Sequence, residues 1–468
     1  MPYLLPLLTI FFLPIYLLKI HLTPSISINL LELLLIYTLI IIYRAIFKQF
    51  SFRKIITWSF SKQNKKIFLP ILLVVVGFTL SYLHHQQLTH WVNWTDGLGK
   101  LLDLLILPIL FGFAIHLLAI VNIKGFFLKS KLDSPFLKLL QFFPPGMTLN
   151  VIYYFSSTII AFLGIIFLLT GHLTFDNRLK IFFPSPNQLA IFLSPALIIG
   201  FSFILSQFNR SAKESFQKFW LLYSSIFAII INIIFTKSLG SWLALSFVAI
   251  LLFAYYNVIK NSLLKKIIQT FQKYSLKIIA LIIVFSTLAI FNINQIIAFT
   301  NYYSHVPPTS TDSRLAIYQV THKIISQNWL WGIGPGNLQD EYLNQQKNFP
   351  AYPQWAVPHA HNNLLHFWAE GGILAFIGLI FIYINTLKVD NNRRVTLTNQ
   401  PFNKTHSKNN KHDSKQKKAL PQLPFPQLTL LYFVLHGLID TTIWTMPTAI
   451  FFWLTVIYYL TNQPDLSD

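Results

Sequence analysis

HNNLLHFWAEGGILAFIGLIFIYI, residues 361–384, opens on histidine and asparagine and ends in an unbroken apolar run, with no charged residue between Glu370 and Lys388. A helix of about 20 such residues crosses the roughly 30 Å hydrocarbon core of a bilayer, and only a helix or a closed barrel satisfies its backbone there. Residues 361–384 therefore read as a membrane span with a polar mouth.

Comparable runs lie near residues 3–20, 28–46, 67–84, 101–121, 150–170, 188–206, 219–236, 240–256, 278–299, 363–386, 426–443 and 447–462. They predict an all-α polytopic membrane protein with about twelve transmembrane helices. The composition agrees: of 468 residues 54% are hydrophobic and only 11% charged, which excludes an ordinary soluble domain. The first run lacks a small-residue cleavage site and leads straight into another span, so Met1 is expected to begin the mature protein.

The net charge of +21 raises the question of nucleic acid, and its distribution answers it. With the N-terminus inside and twelve spans, 28 of the 36 Lys and Arg fall in the inner segments 44–66, 122–149, 207–218, 257–277 and 387–425. That bias is the positive-inside pattern of a membrane protein with both termini cytoplasmic. No nucleic-acid partner is expected. There is no cysteine, so disulfides and thiolate chemistry are excluded, and any metal would have to rest on His and carboxylates.

Residues 1–468 read as a single membrane domain with two long polar interruptions. Residues 387–425, rich in Lys, Asn, Ser and Gln, are expected to be a disordered basic cytoplasmic loop. Residues 300–361 hold Tyr302, Tyr318, Trp329, Trp331, Tyr342 and Trp355 among turn residues, and are expected to be a structured extracytoplasmic loop bearing amphipathic helices and the chemistry.

In that loop Asp312 and Ser313 are good N-caps, and Ile317, Val320 and Ile324 share a helical face. Arg314 then falls in the first turn, where the free N–H groups favour an anion, unless it pairs with Asp312. Arg178, a second outer arginine, lies shortly before Asn187, which opens the next span. Gly332, Gly334 and Gly336 of GIGPGN form a tight turn too short for a nucleotide loop.

Pro358 holds the residue before it extended, so the next helix starts near His361 or Asn362. His361 is then a base at a helix mouth or a capping side chain, with His359 and Asn362 beside it. Asn363, His366 and Glu370 recur at i, i+3 and i+7 as a polar stripe. His366 and Glu370 read as a buried supporting pair. A metal held by His359, His361, His366 and Glu370 is disfavoured, because His359 and His361 should diverge in an extended segment. His436 and Asp440, at i and i+4, are expected to bond each other or to line the cavity.

Taken together, Ser313-Arg314, GIGPGN, PHAHNNLLHFWAEGGILAF and HGLID resemble the O-antigen ligase and O-antigen polymerase superfamily. The resemblance covers about residues 150–460. Its most specific element, His-Asn followed after nine residues by Gly, is met by His361, Asn362 and Gly372. Two positions depart from the pattern: Ala375 where the ligases usually have Gly, and Leu239 where many relatives have Arg, with Lys237 as the neighbouring substitute.

The resemblance implies a fold like the membrane-embedded C-type glycosyltransferases, in a bacterial plasma membrane. It implies transfer of a glycan from an undecaprenyl diphosphate carrier to a lipid, glycan or protein acceptor at the outer face, with no cofactor and no metal. His361 would be the base and Arg314 and Arg178 the diphosphate ligands, with Asp312, Asn187, His359, Asn362, His366, Glu370 and Asp440 in support. Ligase, polymerase and protein oligosaccharyltransferase remain open within it. From another class, a transporter or flippase for lipid-linked glycans would be equally polytopic but would place ionisable groups near the midplane of several helices.

Overall fold

A computed structural model describes residues 4–14, 19–21, 27–47, 65–86, 94–126, 145–207, 212–260, 310–346, 357–387, 425–443 and 445–460. The expected span at 278–299 and nearly all of the 387–425 loop lie outside the described residues. The elements in order are α1 (Leu4–Phe11), β1 (Lys19–His21), β2 (Ser27–Asn29), α2 (Leu30–Phe47), α3 (Lys65–Gln86), α4 (Trp94–Leu101) running through a π-turn into α5 (Leu107–Phe126), and α6 (Pro145–Leu169). There follow α7 (Pro186–Gln207), α8 (Ala212–Thr236), α9 (Leu239–Lys260), α10 (Ser310–Asn328), α11 (Leu338–Gln346), α12 (Asn363–Leu387), α13 (Phe425–Gly437) and α14 (Met446–Leu460).

Among the described residues, 6 helical stretches are long and apolar enough to cross a membrane: Leu30–Phe47, Lys65–His85, Gly97–Leu117, Leu149–Leu169, Pro186–Ile204 and Asn363–Thr386. Shorter apolar helices cover Trp220–Thr236, Leu239–Leu251 and Met446–Ile457. The count of about twelve is thus not reached there, and two runs are corrected. Among the described residues of the run at 3–20 the α-helix covers Leu4–Phe11, about 12 Å at 1.5 Å per residue, and Lys19 lies in an antiparallel hairpin, paired with Asn29. The run at 426–443 stops being helical at Gly437, and the chain beyond it is a loop carrying Asp440. Apolar content could not separate helix from loop there, because both are buried.

The helices pack through small residues, as they must where lipid offers no hydrophobic drive. α3 and α12 meet almost backbone to backbone: a Cβ on Gly77 would lie 2.6 Å from the Ala375 nitrogen, and one on Gly378 would lie 2.7 Å from the Pro70 carbonyl oxygen. Gly77→Val should therefore force the two helices apart at a cost of about 1–3 kcal/mol. Thermal unfolding in detergent should show a lowered midpoint for it and none for Gly99→Ala, whose Cβ meets nothing within 4 Å; equal midpoints would refute the close approach.

One break interrupts this packing. α12 is not continuous: Gly372 has φ 68° and ψ −170°. Ile373 N–H consequently donates to the Leu330 carbonyl at 3.2 Å, while the Ala369 and Glu370 carbonyls accept from Ile333 N–H (2.8 Å) and Gly334 N–H (3.1 Å). The GIGPGN loop thus replaces one turn of α12 and leaves its polar backbone paired. Only glycine fits at the crossing, since a Cβ on Gly332 would lie 2.6 Å from the Gly372 nitrogen.

Candidate active site

The site is built where three segments meet. Asn362 caps α12, its Oδ1 accepting from the N–H groups of Leu364 (2.8 Å) and Leu365 (3.1 Å). Its Nδ2 donates to the Leu438 carbonyl at 2.9 Å. Asn363 reaches the same loop, accepting from Thr442 N–H and donating to Thr442 Oγ1. These two asparagines staple the loop after α13 to the mouth of α12, and Asp440 sits between the staples.

His361 comes just before the cap and takes a left-handed backbone, φ 49°, which is uncommon for a residue with a side chain and occurs where surroundings over-determine it. The Tyr318 hydroxyl donates to the His361 carbonyl at 3.0 Å and helps to hold it. That conformation corrects one expectation. The rings of His359 and His361 do not diverge; their centroids lie 4.3 Å apart.

His361 Nδ1 lies 3.0 Å from Asp440 Oδ1. Asp440 is only 2% exposed, whereas His361 is 22% exposed. The other carboxylate oxygen, Oδ2, accepts from Asn187 Nδ2 at 2.8 Å and lies 3.9 Å from Arg314 Nη2. Arg178 Nη2 donates to Asn187 Oδ1 at 2.6 Å, and its Nε donates to the Thr236 carbonyl at 2.7 Å. Arg178 and Arg314, 136 residues apart in sequence by their numbers, therefore converge on one buried carboxylate, Arg314 directly and Arg178 through Asn187.

Burial alone would raise the Asp440 carboxyl, but the His361 ring hydrogen-bonded to it holds it well below the usual carboxylate range. Such a depressed group stabilises the fold above its unfolded pKa of about 3.9, and the contribution is lost only as pH falls through the folded value. Asp440 is thus a carboxylate throughout the neutral range. His359 is pushed well below the ordinary histidine range, first by burial and then by His361, so it is a neutral neighbour.

The remaining expected residues fall in different places. α10 begins at Ser310, about one turn before the expected cap, so Arg314 lies in the second turn rather than among the free N–H groups. The side chain of Asp312 lies outside the described residues. Asp440 N–H donates to the His436 carbonyl at 2.8 Å, but the His436 side chain turns elsewhere: its Nδ1 meets the Tyr432 hydroxyl at 2.7 Å and Ser241 Oγ at 3.4 Å. His366 and Glu370 lie apart from the carboxylate centre, Nε2 to Oε2 3.5 Å, and Glu370 also accepts from Leu338 N–H at 3.3 Å. That pair clasps the GIGPGN loop and α11 against α12.

His359, His361 and Asp440 bring one donor atom each to within 4.8 Å of one another, the spacing of a three-ligand metal site. The Arg314 guanidinium beside the same carboxylate opposes a further cation. Two contributors were not picked out from sequence. Tyr318 was counted only among the loop aromatics, although it lies one helical turn after Arg314 and so faces the same way. Thr442 carried no signal at all.

Residues 224–380, from within α8 to within α12, match the family model described as O-antigen ligase. Over that segment the chain is similar to the O-antigen ligases. The matched ligase segment holds Arg314, His359, His361, Asn362, His366 and Glu370, while Arg178, Asn187 and Asp440 lie on either side of it. No curated protein matches the chain.

Proposed function

We propose that the chain is a membrane glycosyltransferase that moves a glycan from a polyprenyl diphosphate carrier to an acceptor hydroxyl or amide at the outer face of a bacterial plasma membrane, in the manner of an O-antigen ligase. The carrying observation is the pairing of His361 with a buried carboxylate that also collects both outer arginines.

A carboxylate on Nδ1 fixes the imidazole tautomer and leaves Nε2 as the basic nitrogen. Nε2 takes the acceptor proton as the acceptor atom attacks the anomeric carbon. The bond from that carbon to the phosphate oxygen breaks, and its electron pair leaves with the lipid diphosphate. Arg314 and Arg178 neutralise the charge growing on the leaving group, and pre-oriented cations in a water-poor site are effective at this. Asp440 steadies the imidazolium that forms. One base with, among the described residues, no second carboxylate poised as nucleophile supports a single displacement with inversion, and no step needs a metal ion.

The reading takes the Arg314 side as extracytoplasmic, both termini as cytoplasmic and the helical scaffold as C-type glycosyltransferase-like. The charge bias supports this orientation, and the gathering of ionisable groups at one rim, rather than at the midplane of several helices, supports transfer over transport.

Arg314→Lys tests the diphosphate role, because it keeps the charge and removes the two-pronged donor. With about 1.5–3 kcal/mol at stake in a charge-assisted hydrogen bond, kcat/KM for the lipid-linked donor should fall about 10–100-fold while the acceptor KM stays constant. Unaltered donor kinetics would remove Arg314 from the reading.

A further inference from the structure

The corner NWLWG, residues 328–332, joins α10 to the loop that replaces a turn of α12. It presents Trp329, Leu330 and Trp331 outward, 54%, 41% and 40% exposed. We infer that this corner is a lipid-docking wedge, seated in the outer leaflet at the boundary between headgroups and acyl chains, which anchors the end of α10 opposite Arg314.

Its neighbours identify lipid as the occupant. The Leu330 carbonyl accepts from Ile373 N–H, and Ile373 lies inside the span Asn363–Thr386. The Trp329 carbonyl accepts from Trp368 Nε1 at 3.0 Å, and the Trp368 ring stacks on Phe376 of the same span, centroids 4.4 Å apart. Trp331 packs against His84, centroids 5.8 Å apart, near the end of the span Lys65–His85. Leu83 beside it is exposed like other outward faces of the bundle. The corner is therefore level with residues that lie inside two spans, not above them.

The backbone of the corner can tolerate that depth. Non-helical backbone survives at membrane level only if its polar groups find protein partners. Here the Gly332, Ile333 and Gly334 N–H groups and the Trp329 and Leu330 carbonyls are all bonded within the protein. Tryptophan suits the place, with an apolar body and a ring N–H that can meet water or headgroups. The amphipathic face of α10 does not compete for this role, since Ile317, Val320 and Ile324 are buried against the protein. The α10 helix is thus held by protein along its length and by lipid at the far end, about 22 Å from Arg314 along its axis.

The absence of cysteine makes the test direct. Trp331→Cys and, separately, Leu330→Cys in the full chain are labelled with a nitroxide and reconstituted in phosphatidylglycerol–phosphatidylethanolamine vesicles. Collision rates with oxygen, which partitions into lipid, are compared with those of a water-soluble nickel chelate. The wedge predicts that oxygen contact exceeds nickel contact at both positions, whereas Asn344→Cys on α11 shows the reverse. Dominant nickel contact at 330 and 331 overturns the inference in favour of a water-facing corner. Low contact with both reagents overturns it in favour of a protein partner or a second copy. If Trp331→Cys does not assemble, Leu330→Cys decides alone, because its anchoring hydrogen bond uses the backbone carbonyl and not the side chain.

Discussion

Replacing His361 by alanine should lower glycan transfer by about 10²–10⁴-fold, the usual contribution of a positioned general base, with little change in binding of the lipid-linked donor. With Nδ1 3.0 Å from Asp440, only Nε2 is left to accept a proton. His359, although its ring is 4.3 Å away, is pushed well below the ordinary histidine range by burial and is the weaker base. His436 lies fully buried and turned to Tyr432. Single-turnover rates with saturating donor isolate the chemical step. A His361→Ala variant that transfers at the normal rate would mean that proton removal happens elsewhere.

Asp440→Asn should be nearly as damaging, although its side chain is buried behind the histidine. The neutral amide keeps the volume, but it can present a donor to Nδ1 and so favour the wrong tautomer, and it no longer steadies the imidazolium. Loss of the carboxylate in the comparable Ser-His-Asp arrangement costs on the order of 10⁴ in kcat. The same substitution removes the anion that collects Arg314 and, through Asn187, Arg178. The donor KM should therefore also shift. A purely structural role would instead lower thermal stability and leave the pH–rate profile of the surviving protein unchanged. The account predicts that the profile changes shape, since the group that steadies the protonated base is gone. An Asp440→Asn enzyme with wild-type kcat and profile would separate Asp440 from the chemistry.

Much of the scaffold was readable because the bilayer imposes one rule, length of apolar helix, that needs no knowledge of neighbours. Helices α2, α3 and α5 to α9, and the span of α12, fall where the apolar runs put them. Reading failed where a run was apolar for another reason. Leu438 to Ile443 continue the apolar run, yet they form the loop that delivers Asp440. The i, i+4 spacing offers His436 and Asp440 as partners or as cavity-lining groups, but α13 ends at Gly437, so the spacing survives as a backbone bond from Asp440 N–H to the His436 carbonyl while the carboxylate turns to His361.

The same limit applies to the histidines. An extended segment should splay His359 from His361, and the positive φ at His361 cancels that, held by a tyrosine from a helix 43 residues away in sequence. Gly371 and Gly372 were visible as a place for close approach. That Gly372 breaks the helix, and that GIGPGN supplies the missing turn, depends on tertiary pairing no local pattern encodes. The residue types of the site could thus be named from sequence, while their partners required the fold.

The central claim is that the chain breaks the bond between a glycan and its lipid diphosphate. Purified protein in vesicles, given a polyprenyl diphosphate-linked glycan and an acceptor on the outer side, should release one polyprenyl diphosphate for each glycan joined to the acceptor. Movement of the intact lipid-linked glycan across the bilayer, with no free polyprenyl diphosphate formed, would contradict it.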